Sequence, residues 1–271
     1  MSRIAKHFAD LKAQRRTALV PYITAGDPHP SLTVPLMHAM VASGADLIEL
    51  GVPFSDPMAD GPTIQLACER ALKHNTSLSD VLDIVKTFRE HDQSTPVILM
   101  GYLNPIEIMG YGTFATRAQA AGVDGVLTVD LPPEEGNDTT LLFKKHQLDT
   151  IFLLSPTTKP ERIQKIAELG SGFLYYVSLK GVTGANTLDP EAVKARLSLI
   201  RDYSALPLGV GFGIKDAATA ALIAPIADAV IVGSAVIKLV EANPDDHGRI
   251  VQDIANLIAA MRESMDLATR N

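Results

Sequence analysis

ALVPYITAGDP, residues 18–28, is the stretch on which the fold turns. Its first six residues, ALVPYI, run without apolar/polar alternation, as in a strand buried on both faces of a parallel sheet. The turn that follows reads TAGDP. A doubly wound dinucleotide-binding sheet carries a G-x-G-x-x-G fingerprint after its first strand. Its absence favours the other parallel architecture, a closed barrel.

Seven more runs of this kind follow: DLIEL (46–50), PVILM (96–100), GVLTV (125–129), TIFLL (150–154), FLYYV (173–177), LGV (208–210) and AVIV (229–232). Between them, apolar residues recur at helical spacing over 32–43, 78–91, 161–169, 191–203 and 247–267. Ser77 or Ser79 is placed to cap the second of these. Strand–helix units of about 25–30 residues, repeated eight times, predict an α/β fold, a single (β/α)8 TIM barrel spanning 1–271. Two additions stand out. MSRIAKHFADLKAQRR predicts an extra N-terminal helix with Ile4, Phe8 and Leu11 on one side. The unit after the second strand is about twice the usual length, so an extended loop and an added helix near 63–74 are expected there.

Composition narrows the function. A net charge of −7 without a basic stripe argues against nucleic-acid binding, which needs clustered Lys and Arg. The single cysteine, Cys68, forms no internal disulfide. Seven scattered histidines show no metal-ligand spacing, so no metal is expected. No apolar stretch approaches the roughly 20 residues of a membrane span, and the N-terminus lacks the apolar core of a secretory signal. A cytoplasmic location is the expectation.

In a barrel, chemistry sits at the C-terminal ends of the strands. Glu49 lies there, between Ile48 and Leu50. Neighbours on a strand point to opposite faces, so if those two meet the helices, Glu49 faces the interior. A carboxyl there is desolvated and suited to proton transfer, whereas a solvated or Lys-paired strand end is the plain alternative. Asp60 follows on the loop ELGVPFSDPMADGP, as either a catalytic group or a turn residue. Farther on, LGVGFGIKD (208–216) and VGSAV (232–236) each join a strand through small residues to a helix start. Barrels bind phosphate between the loops after strands seven and eight, where backbone N–H groups and the helix N-terminus meet an anion. SLKGVTGANT (178–187), with Gly181 and Gly184, suits a mobile lid or an ordinary surface loop. Tyr22, Met100, Tyr102, Leu127, Val129, Leu153, Tyr175 and Phe212 fall near strand ends. A pocket there would suit a flat aromatic group joined to a phosphate.

ELGVPFSDPMADGPTIQ (49–65), PYITAGDP (21–28), GYLNPI (101–106), DLPPEE (130–135), GVTGA (181–185), GVGFGI (209–214) and VGSA (232–235) together resemble the tryptophan synthase alpha chain family across nearly the whole sequence. The resemblance implies a (β/α)8 lyase that cleaves indole-3-glycerol phosphate to indole and glyceraldehyde 3-phosphate, without a cofactor of its own. By matching motifs it gives Glu49 the proton transfer, Asp60 the indole N–H and Tyr175 the positioning of Glu49. It gives Gly184, Gly213, Gly233 and Ser234 the phosphate, and Thr183 the lid. Tyr22, Tyr102, Leu127 and Phe212 fall on indole-pocket positions. It also implies a beta-chain partner that carries pyridoxal phosphate, in an alpha2-beta2 heterotetramer, with loops 53–58 and 104–110 facing it. Two departures are Leu179-Lys180 at the start of the lid and Met58 in place of the more usual Leu.

Two other readings compete. An indole-3-glycerol phosphate synthase would carry a catalytic Lys on an early strand, but the first two strands carry none, and a phosphoribosyl isomerase is a further barrel of this kind. A non-catalytic activating subunit would not need both Glu49 and Asp60.

Overall fold

The computed structural model describes residues 2–178 and 189–270. α1 (Arg3–Ala13) leads into β1 (Ala18–Thr24), α2 (Pro30–Ala42), β2 (Ile48–Gly51), α3 (Pro62–Leu72) and α4 (Leu78–Phe88). Then come β3 (Val97–Gly101), α5 (Leu103–Met109), α6 (Tyr111–Ala121), β4 (Gly125–Thr128), α7 (Asn137–Lys145), β5 (Asp149–Leu154) and α8 (Pro160–Leu169). The chain closes with β6 (Leu174–Val177), α9 (Pro190–Arg201), β7 (Leu208–Gly211), α10 (Ala217–Ile223), β8 (Ala229–Val232), α11 (Ser234–Ala242) and α12 (His247–Thr269).

Each strand pairs in parallel with the next, and β8 closes on β1, giving the expected eight-stranded barrel. The register sorts the side chains. Tyr22 lies opposite Glu49, Glu49 opposite Ile98, Leu153 opposite Tyr175, and Tyr175 opposite Gly209. Side chains on this set point inward, where Val20, Leu47, Ile98, Leu127, Ile151 and Ile231 form one core. The alternate set, including Leu19, Ile48, Leu50 and Leu99, packs outward against Met37, Val85 and Phe114 of the helices. Continuous apolar strands therefore follow from burial on both faces.

α1 closes the N-terminal end of the barrel. Ser2 caps it by accepting the Ala5 N–H, and Ile4, Phe8 and Leu11 are buried against the inner core. Gly125 makes room, since a Cβ there would come within 3.0 Å of Ile4 Cδ1. Burying three such side chains stabilises the floor by roughly 1.5–3 kcal/mol each.

Several boundaries differ from expectation. β2 begins at Ile48, two residues later than the apolar run. Asp46 is turned into an anchor, accepting the Leu19 N–H and the Arg262 guanidinium. Segment 104–110, expected as a loop, is mostly helix α5, a seven-residue element ended by Gly110 at φ 85°. α6 has no large apolar stripe, because Ala115, Ala118 and Ala121 beside Phe114 make up its buried face. The added helix after β2 is α3, and Ser77 caps α4 in a capping box with Asp80.

Candidate active site

β2 carries Glu49 to the C-terminal mouth of the barrel, where it is 2% exposed. Its Oε1 is buried and finds no hydrogen-bond partner among the described residues. Burial, then the Asp60 carboxylate, pushes its pKa up to about 8. Glu49 is thus a neutral acid at pH 7, aimed at a cavity of about 660 Å³.

The loop after β2 brings Asp60 to the same cavity, directly before Gly61, the N-cap of α3. Its carboxylate accepts a hydrogen bond from the Tyr102 hydroxyl at 2.9 Å. Burial raises its pKa, and the Tyr102 hydrogen bond draws it partly back. Ile64 of α3 and Met100 of β3 supply apolar wall beside the two acids.

Two phenols stand across the inner register. Tyr22 on β1 and Tyr175 on β6 both line the cavity, and burial raises each hydroxyl's pKa well above its ordinary value, so both stay neutral. They fit because the neighbouring strands end in glycine. A Cβ on Gly51 would lie 2.1 Å from the Tyr22 hydroxyl oxygen, and one on Gly211 would lie 2.2 Å from that of Tyr175. The Tyr22 hydroxyl pairs with Thr24 Oγ1 at 3.1 Å.

The third wall comes from the turns after β7 and β8. Phe212 has φ 70° and Gly213 φ 78°, so two successive residues are left-handed. For a bulky aromatic this backbone costs on the order of 1–3 kcal/mol, a strain typical of functional turns. The Ser178 hydroxyl braces the turn against the carbonyls of Gly211 (2.8 Å) and Phe212 (2.7 Å). Opposite, Gly233 is the N-cap of α11, and Gly233, Ser234 and Ala235 line the cavity. The first N–H groups of a helix have no partner within it and favour an anion. Lys215 and Lys238 line the same end.

The structure thus gathers Tyr22, Glu49, Asp60, Tyr175, Phe212, Gly213, Gly233 and Ser234 around one cavity. It does not bring Leu127 or Tyr102 to that wall. Leu127 is fully buried in the inner core, and Tyr102 turns its hydroxyl to Asp60. Thr183 and Gly184, with the rest of the expected lid from Leu179 and Lys180 onward, lie outside the described residues. Lys238 was missed by sequence reasoning. Its signal was its spacing, one helical turn after Ser234 on the same side of α11. Among the described residues no group of three metal-ligating side chains converges, and no helix is long and apolar enough to cross a membrane. The arrangement can donate a proton from a buried acid, stabilise a nearby cation with a carboxylate, and hold an oxyanion on the turns after β7 and β8.

Residues 8–266 match the family model described as "Tryptophan synthase alpha chain". The chain is 62% identical over 271 residues to the tryptophan synthase alpha chain of Nitrosococcus oceani, covering 100% of both. It is 61% identical to that of Thioalkalivibrio sulfidiphilus, covering 98% of this chain and 100% of the relative. Among solved structures it is similar to tryptophan synthase subunit alpha from Legionella pneumophila, with TM-score 0.91 and 49% identity over 98% of this chain and 99% of that one. It also resembles a chain in the tryptophan synthase complex from Pyrococcus furiosus, with TM-score 0.80 and 35% identity over 91% and 98% of the two chains.

Proposed function

The chain belongs to the tryptophan synthase alpha chain family, and from that premise we propose which of its residues carry the reaction. The reaction is a lyase step of tryptophan biosynthesis, the cleavage of indole-3-glycerol phosphate to indole and glyceraldehyde 3-phosphate. Alpha chains hold no cofactor of their own, pyridoxal phosphate being bound by the beta chain.

Indole leaves from carbon poorly until its C3 is protonated. Glu49, protonated up to about pH 8, donates that proton. C3 becomes tetrahedral and the ring becomes a cation centred on N1. The Asp60 carboxylate accepts the N1–H and stabilises that charge. The bond from C3 to the glycerol carbon then breaks, and its electrons restore the indole ring. Glu49, now a carboxylate, takes the proton of the glycerol hydroxyl as that carbon becomes an aldehyde. The acid ends as it began, so the cycle balances. Tyr175 holds Glu49 and the substrate, with Tyr22 and Phe212 against the indole. The phosphate sits on the turns with Gly213, Gly233 and Ser234, so binding energy remote from the reacting bond orients it. Thr183 and Gly184 complete the lid and phosphate site by resemblance.

The observation that carries this reading is the buried carboxyl oxygen of Glu49, without a partner among the described residues, beside the cavity that Asp60 also lines. Indole release from indole-3-glycerol phosphate by the purified chain tests it. Glu49→Gln is expected to lose roughly a hundredfold or more of kcat, the usual range for removing a general acid. Equal release by variant and parent would sink the role of Glu49.

The beta chain docks, in the same reading, on the C-terminal face, where Met58 is 81% and Ile108 82% exposed. Exposed apolar side chains beside prolines suit such an interface. The assembly is an alpha2-beta2 heterotetramer, the chain forms a single domain over 1–271, and the setting is cytoplasmic. Light scattering of the two mixed chains tests the stoichiometry.

A further inference from the structure

Tyr102 follows β3 and is the N-cap residue of α5. Its ring is 4% exposed and rests on Phe54, with centroids 5.2 Å apart and planes 30° from each other. Its hydroxyl makes two hydrogen bonds. The oxygen accepts the Ala59 N–H at 3.0 Å, and the O–H donates to Asp60 Oδ2 at 2.9 Å. The first bond fixes the direction of the second, because an oxygen that already accepts an amide must turn its proton elsewhere. Gln65 grips the same loop from the opposite side, its Nε2 donating to the carbonyls of Asp60 (2.9 Å) and Pro57 (3.3 Å). Asp60 is thus held by its carboxylate, by its own carbonyl and through the residue before it.

We propose that Tyr102 is a positioning residue that orients the Asp60 carboxylate towards the cavity and acts on the reaction only through it. This rests on the role given to Asp60 above. A tyrosine serving as indole wall would present its ring to the cavity. This ring is instead stacked on Phe54 and its hydroxyl is spent on the loop. Among the described residues Tyr102 is the donor to the Asp60 carboxylate, so removing the hydroxyl leaves that group buried without one. Other titratable groups face Asp60 as well: Glu49 on β2, Tyr22 on β1, Tyr175 on β6 and Cys68 on α3. Lys215 and Lys238 line the far end of the cavity. Tyr102→Phe leaves all of these in place and keeps the ring on Phe54.

The test compares the parent, Tyr102→Phe, Asp60→Asn and the double variant, by steady-state indole release across pH. A carbon-detected titration of the Asp60 carboxylate in the full chain accompanies it. Tyr102→Phe is expected to lower kcat/KM at neutral pH roughly ten- to a hundredfold, the scale of a hydrogen bond to a charged group. The acid limb should move to higher pH, because the lost bond favoured the carboxylate, while the basic limb set by Glu49 stays. The Asp60 midpoint should rise in the titration, a readout that needs no activity. The double variant should be no worse than Asp60→Asn alone. Additive losses with an unmoved acid limb and an unmoved midpoint would overturn the proposal and make Tyr102 a wall of the indole pocket. Full activity of Asp60→Asn would overturn it together with the role of Asp60. An inactive parent chain would instead refute the assignment of the reaction.

Discussion

At the scale of the residue, Glu49, in the role proposed for it, sets the expected pH behaviour of the chain. Its proton must be present for C3 protonation, so kcat/KM of the free chain is expected to fall above about pH 8, where Glu49 ionises. In the same reading Asp60 works as the carboxylate, and burial shifts the acid limb upward from the ordinary aspartate value. A pH–rate profile checks both limbs. The same group governs stability. Its pKa rises from the ordinary 4.5 to about 8 on folding. The folded state therefore binds this proton more tightly, an advantage complete below pH 4.5 and lost as pH rises through 8. Glu49→Gln removes that dependence, so relative to the parent it is expected to gain stability between those values, by up to about 5 kcal/mol. Denaturant melts of both at acid and alkaline pH measure it. Glu49 was legible because strand alternation needs only its neighbours. Tyr102 was legible as a position near the site but not in its contact with Asp60, since that contact joins the ends of two different loops.

At the scale of the element, the strands were easier to read than the helices. Two-sided burial writes a strand as a mostly apolar run without alternation, and each of the eight runs falls on a strand of the barrel. A helix reads clearly only when large residues fill its stripe, as in α4 and α12. α6 buries mostly alanine and α5 is only seven residues long, so neither announced itself. Arg262 is a buried charge that periodicity does not reveal. It interrupts the apolar stripe of α12 in sequence yet is 7% exposed, because Asp46 and the Thr17 carbonyl receive it. α1 allows a direct separation of fold from chemistry. Phe8 is 6% exposed and lies 5.7 Å, ring to ring, from Phe173 in the floor. Phe8→Ala is expected to cost about 3–5 kcal/mol in a denaturant melt. Its kcat per folded molecule should match the parent, since no residue of α1 lines the catalytic cavity.

At the scale of the whole molecule, the two ends of the barrel have separate work. The mouth holds the two acids, the glycine turns after β7 and β8 and the exposed apolar side chains, so in the proposed reading partner and substrate meet the same face. Ile108→Asp tests that face without touching the chemistry. With 82% of Ile108 exposed, its stability should change by no more than about 0.5 kcal/mol. Indole release by the chain alone should be unchanged, while a titration with the beta chain should show affinity weakened about tenfold or more. Equal affinity would move the interface elsewhere.

The plugged floor carries a consequence for traffic. Indole is small and apolar, and a hollow barrel open at both ends would let it drift out on the side away from any partner. With α1 as a stopper and packed side chains above it, the vessel has, among the described residues, its door at the mouth. The aldehyde phosphate and the indole must depart through the same opening by which their precursor came in. Whatever protein stands at that threshold is first in line for each molecule of indole, before the surrounding water can dilute it.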